Sequence, residues 1–312
     1  MGTDADGIFG RFCVQLHVYM VVFKKKGRVM TGRIFQMKTL KYLRRDMRLG
    51  TVNRAYVFLI PLVFSLLMSL QFSSIINVFN ANNNSQFGMT IMDYYVFAMK
   101  GLDYYTLDPF DLYPLPLYWF TFQMGISYFI AYYPEKDYSE NGVNILVSGK
   151  SRASWWLSKV FWCILSVLVY YLVAFVSCAV FALIQGAGLS LGVTKEFEVA
   201  YFGYNMTYVS YSDLIVIAVI VPFSITAAIC LVQLLMSFVL SPVTSFAVTC
   251  GMYVLSAYYT AWFFPGSFTI WLRSSYFDER GLDPVSGLVI AAFMAVTAVG
   301  FGIMNFEKKD II

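Results

Sequence analysis

Histidine occurs once in this chain, at His17, and charged residues fill only 13% of its 312 positions. A soluble domain carries about a quarter charged residues, so the shortage excludes an ordinary water-soluble fold and points to an integral membrane protein. A single histidine leaves metal and His-based nucleophilic chemistry without raw material. The five cysteines (Cys13, Cys163, Cys178, Cys230, Cys250) show no paired spacing, and four lie in apolar runs, where a thiol behaves as a small hydrophobe. No disulfide or metal site is expected. No Ser/His/Asp set, zinc motif or pair of intramembrane aspartates argues for a membrane enzyme, and no GxxxxGK(S/T) loop is present to bind ATP. No catalytic or cofactor-binding residue is assigned to this chain.

What is present is apolar: 59% of residues are hydrophobic, 19% are aromatic, and mean hydropathy is +0.66. Six runs are long enough to cross a bilayer. They cover about residues 55–77, 114–133, 155–184, 214–240, 243–264 and 284–305. Pro61 stands near the start of the first, where proline kinks a helix. The third is near 30 residues, so it tilts or projects beyond the lipid. Only Ser241-Pro242 separates the fourth from the fifth, which makes a tight antiparallel hairpin. The expected fold is therefore all-α, with an arm at 1–53, a six-helix transmembrane domain at 54–306 and a tail at 307–312.

No ionisable residue sits mid-span, which argues against transport coupled to protons or sodium. No filter-like repeat or charged ring marks an ion channel. Gln123 and Gln233 are the most polar intramembrane side chains and read as interhelical hydrogen-bonding groups.

Charge is unevenly placed. From Lys24 to Arg54 the arm holds eleven of the 22 basic residues and one acid, Asp46. Ile34, Met37, Leu40 and Leu43 give it one apolar stripe. It reads as an interfacial helix or as a polybasic stop that fixes topology, with nucleic-acid binding disfavoured beside a membrane span. Residues 8–23 lack the flanks of a secretory signal and read as interfacial, with a seventh span as the alternative, and Met37 is an alternative start. The arm after residue 24, the loop near 138–150 and the tail carry seventeen Lys/Arg against six acids, and the other three loops carry four against ten. The positive-inside rule then puts both termini and the 138–150 loop in the cytoplasm, with the chain multi-pass in the plasma membrane. Two Asp-Tyr-Tyr triplets, at 93–95 and 103–105, read as aromatic segments at the outer headgroups. The half-apolar loop 265–283 reads as a re-entrant piece that must be covered by protein or line a wet cavity.

The stretch Tyr138–Lys159 is the most informative. Ser139 is an N-cap candidate, Glu140 suits the first turn of a helix, and Val143, Leu146 and Val147 share one face. Gly149 suits its end. At roughly 15 Å the helix is too short to cross a membrane. Lys150, Arg152 and Lys159 mark the membrane boundary, with Trp155, Trp156 and Trp162 as headgroup-level rings. On these residues alone, an ordinary interfacial loop helix accounts for the stretch.

The chain resembles the permease subunits of bacterial type-2 ABC exporters over about residues 37–312. The likeness rests on Glu140-Asn141-Gly142, Leu146, Gly149-Lys150-Ser151-Arg152 and Trp155-Trp156-Leu157-Ser158-Lys159. The Ser241-Pro242 turn, Pro265-Gly266 with Arg273-Ser274, and Asn305-Phe306-Glu307-Lys308-Lys309-Asp310 add to it. The resemblance implies six transmembrane helices, an N-terminal elbow helix, and a coupling helix at 138–150 seated in a separate cytoplasmic ATPase. Tyr138, Glu140, Asn141, Gly142, Val143 and Leu146 would make that contact. ATP and magnesium would belong to the ATPase, and a second permease, identical or not, would complete the unit among membrane lipids. The cargo implied is hydrophobic or amphipathic: a peptide, an antimicrobial or a lipid. A permease-like subunit that senses, signals or passes ATPase motion to an envelope partner is the alternative.

Overall fold

The structure is a computed structural model that describes residues 32–83, 88–102, 116–139, 152–194, 197, 210–277 and 280–308. All regular structure among these residues is helical, with two isolated bridges and no strand. The chain runs through α1 (Gly32–Asp46), a π-turn (Met47–Thr51), a 3-10 stretch (Val52–Phe58) and α2 (Leu59–Asn83). Then come α3 (Ile91–Ala98), α4 (Leu117–Asp137) and α5 (Arg152–Ile184). A short α6 (Tyr211–Ile215) and a second π-turn (Val216–Ile220) lead into α7 (Val221–Val239), followed by α8 (Pro242–Tyr258) and α9 (Pro284–Lys308).

Four helical runs are long and apolar enough to cross a membrane: Lys38–Asn82, Arg152–Ile184, Ser212–Val239 and Pro284–Phe306. They mark a membrane protein. Two of the six expected spans are not among them. α8 has only 17 residues, and α4, though 21 residues long, is too rich in Tyr, Trp and Gln to be apolar enough. The run from Lys38 bends at Arg54, whose φ −120° and ψ 28° leave helical geometry.

α5 is the mast of the bundle. It packs on α1, α2, α3, α4, α7 and α9, while α7 and α9 pair most extensively with each other. Halfway along, one buried polar group ties four helices. Gln123 Nε2 donates to Tyr171 OH (3.4 Å), while Thr226 Oγ1 and Tyr253 OH each donate to Gln123 Oε1 at 3.1 Å. Gln233 Nε2 donates to the Ser127 carbonyl at 3.1 Å. Both glutamines therefore join helices, as their intramembrane placement suggested.

The hairpin between α7 and α8 follows its sequence. Ser241 is extended and its hydroxyl accepts from Thr244 N at 3.1 Å, with Pro242 as the first helical residue. α8 stops at Tyr258, short of the expected Phe264, because Arg273 takes its last carbonyls. Nη1 donates to Ser256 O (2.7 Å) and Nη2 to Ala257 O (2.6 Å). The loop beyond folds into 3-10 turns at Pro265–Thr269 and Trp271–Arg273 and is buried in protein, not lipid. Trp119 Nε1 donates to Thr269 Oγ1 (2.9 Å) and Trp271 Nε1 to Val96 O (3.0 Å).

α3 corrects the reading of the first Asp-Tyr-Tyr triplet. Every residue of this helix is buried, so Asp93, Tyr94 and Tyr95 line the protein interior and not the headgroups. Thr90 and Asp93 form a capping box, and Asp93 also accepts from Thr194 N (3.0 Å) and Thr194 Oγ1 (3.1 Å). Burial raises the Asp93 carboxyl above its ordinary range, against these hydrogen bonds. The triplet at 103–105 lies outside the described residues.

Candidate functional site

The residues singled out in the sequence meet where α1, α4, α5, α7 and α9 end together, at the basic end of the bundle. α1 ends in Arg44-Arg45-Asp46, α4 ends in Glu135-Lys136-Asp137, and α5 begins at Arg152. Residues 140–151, between α4 and α5, lie outside the described residues, and Glu140, Asn141, Gly142, Val143, Leu146 and Lys150 lie there with the expected coupling helix. The structure describes the two roots of that segment.

Lys159 is fully buried between two carboxylates. Its Nζ lies 2.6 Å from Asp46 Oδ1 and 2.6 Å from Asp137 Oδ2. Asp46 also accepts from Ser158 Oγ (2.8 Å) and Tyr133 OH (3.1 Å), and Asp137 accepts from Arg45 Nη2 (2.7 Å). Two cations and two carboxylates balance formally, which makes burial of the group tolerable. The Lys159 ammonium also faces the rings of Tyr133 (4.8 Å) and Trp155 (5.4 Å). One lysine thus joins the end of α1, the end of α4 and the first turns of α5.

Close approach behind this group depends on Gly50, where a Cβ would lie 2.7 Å from both Trp162 Nε1 and the Tyr133 ring. Next to it, Thr51 Oγ1 accepts from Trp162 Nε1 at 3.0 Å.

A layer of rings adjoins the charges. Trp155 packs on Phe306 (5.1 Å), Tyr138 (5.7 Å) and Phe238 (5.7 Å), and Trp156 stacks on Phe306 at 5.2 Å. Trp156 Nε1 donates to Val299 O at 3.2 Å. Gly302 lets the ring in, since a Cβ there would overlap it. Arg152 Nη1 reaches Phe306 O (3.5 Å) at the end of α9.

These positions correct several expectations. Trp155, Trp156 and Trp162 are 1%, 0% and 0% exposed, so their rings fill the junction of helix ends and do not face headgroups. Lys159 is an internal ion-pair partner and not a headgroup contact, because Asp46 and Asp137 are turned toward it. Ser139 continues the last turn of α4, and its Oγ donates to Lys136 O at 3.1 Å. Tyr138 sits in the ring layer with part of its side chain accessible. The sequence assigned no part in this junction to Arg45, Asp46, Tyr133, Asp137, Ser158, Phe238 or Phe306. One signal for Asp46 was available: it is the only acid among eleven basic residues.

Chemically, this arrangement fixes helix ends to one another. Among the described residues no group of three or more His, Cys, Asp or Glu is placed to hold a metal ion. No family model matches the chain, and neither a curated protein nor a solved structure matches it.

Proposed function

We propose that the chain is the membrane permease of a type-2 ABC exporter. In this reading it has six spans and an elbow helix at α1, with both termini in the cytoplasm of a cell whose plasma membrane it crosses. The helix at 138–150 couples to a separate ATPase that binds ATP and magnesium, and a second permease completes the unit. The observation that carries the reading is the fastening of both roots of 140–151. Asp137 before it and Lys159 after it are bonded to each other, and Lys159 is bonded as well to Asp46 of α1. A force applied to this segment would pass into α4, α5 and α1 together, as a coupling element requires.

The interior of a single chain is filled by large side chains, among them Trp119, Phe122, Tyr170, Tyr171 and Tyr253. A hydrophobic or amphipathic cargo would therefore move between two permeases and not through one. The same filled interior favours the second reading, a permease-like subunit that passes ATPase motion to an envelope partner without transport. Purification of the tagged chain in mild detergent, with mass spectrometry of what accompanies it, tests the first element of both. A P-loop ATPase in equal amount, lost with Gly142→Pro or Glu140→Arg, is the expected result. Recovery of the chain without an ATPase would remove the coupling role.

A further inference from the structure

The only acid between Lys24 and Arg54 is withdrawn into the protein. Asp46 is 2% exposed and bonded to Lys159, Ser158 and Tyr133. What remains outside on α1 and the π-turn is of one sign. Lys41, Arg44 and Arg48 are exposed, and their spacing of three and four residues sets them along one stripe. None of the three is in an ion pair among the described residues. Apolar side chains flank the stripe in the open: Leu40 is 66% exposed, Val52 65% and Tyr56 65%. The last two stand where this segment turns into the apolar run of α2.

We infer that Lys41, Arg44 and Arg48 form a docking surface for anionic phospholipid headgroups, in the leaflet next to the basic end of the bundle. Charge complementarity identifies the headgroup. Three exposed cations without carboxylates attract phosphate and any further anionic charge, whereas a zwitterionic headgroup offers no net charge. The apolar flank identifies a bilayer as the occupant, since Leu40, Val52 and Tyr56 gain by meeting acyl chains beside the cations that meet phosphates. Burial of Asp46 has a second effect here: the one carboxylate of this segment does not face the lipid. The inference holds whether or not the chain works with an ATPase.

The test uses the full chain in detergent, titrated with phosphatidylglycerol or phosphatidylcholine. Unfolding temperature and the lipid retained in native mass spectrometry are both read. Phosphatidylglycerol should raise the unfolding temperature and stay bound, with the effect fading as salt rises. Phosphatidylcholine should do neither. Each surface cation is worth about fivefold in affinity, so Lys41→Gln/Arg44→Gln/Arg48→Gln should raise the half-effective phosphatidylglycerol concentration about a hundredfold. Its unfolding temperature without lipid should be unchanged. The single variant Arg48→Glu gives the same reading if the triple variant fails to fold. An unaltered phosphatidylglycerol response in the variants, or equal responses to the two lipids, would overturn the inference. So would variant-sensitive binding of poly-glutamate with no lipid preference, which would make the face a protein-docking surface.

Discussion

At the basic end of the bundle, the main joints run from side chain to side chain; at the far end, the main joints run from a side chain to backbone. Lys159 meets two carboxylates, and Trp155 meets Tyr138, Phe238 and Phe306. At the far end Arg273 holds two carbonyls of α8, Trp271 holds Val96 O, and Asp93 holds the backbone of Thr194. The difference has a physical reason. At the basic end the helix ends turn charged and aromatic side chains toward one another. Irregular segments such as 265–277 leave many N–H and C=O groups outside a helix ladder, and side chains are used to satisfy them. The basic end is therefore specified by few residues with large individual effects, and the far end by many with smaller ones.

The largest expected effect is at Lys159. Lys159→Met leaves Asp46 and Asp137 buried without their cation and should cost about 3–5 kcal/mol, seen as loss of folded protein in detergent. Adding Asp46→Asn and Asp137→Asn should recover much of it; no recovery would mean that the lysine acts by shape and not charge. Next come the glycines. Gly302→Val at the basic end drives into the Trp156 ring, and Gly281→Val at the far end drives into the Ser274 backbone, each at a cost of about 1–3 kcal/mol or more. If only the former lowers the unfolding temperature, close packing matters at one end alone. Arg273→Gln removes two charge-assisted hydrogen bonds to carbonyls and should cost about 2–3 kcal/mol. Earlier amide exchange at the end of α8 than at its start is the expected sign, and uniform exchange would count against the capping role.

The smallest effect concerns pH at the far end. The folded Asp93 carboxyl binds its proton more tightly than an unfolded aspartate does. Stability from this source is therefore full below the unfolded range near about pH 4 and is lost as pH rises through the raised folded value. Amide protection of residues 91–98, corrected for intrinsic exchange, should fall over that window in the wild type and stay flat in Asp93→Asn. A flat wild-type profile would show that the Thr90 and Thr194 hydrogen bonds outweigh burial.

Much of the architecture was legible in the sequence. The long apolar run 155–184 is α5, lengthened by three residues at its start, and Ser241-Pro242 turns the chain where expected. Gln123 and Gln233 were identifiable because an amide within an apolar run must find a partner. The basic-end site was not legible, because its bonds span 22 and 113 residues and ion pairing has no periodicity. Lys159 and Trp155 look like boundary residues by type, since composition does not say whether a side chain points toward lipid or protein. α3 was misread for the same reason: Asp-Tyr-Tyr has the chemistry of a headgroup segment and the location of an interior one.

The π-turn at Met47–Thr51 carries a consequence for how the two halves of the first long helix are phased. A π-turn holds about one residue more than an α-turn, and one residue is about 100° of rotation. The extra residue sets the azimuth of α1 against that of α2. With it, Gly50 and Thr51 are buried while Arg48 and Leu49 of the same turn are exposed. Deleting one residue from this turn would leave each half intact and aim the cations elsewhere, a change of bearing without a change of composition.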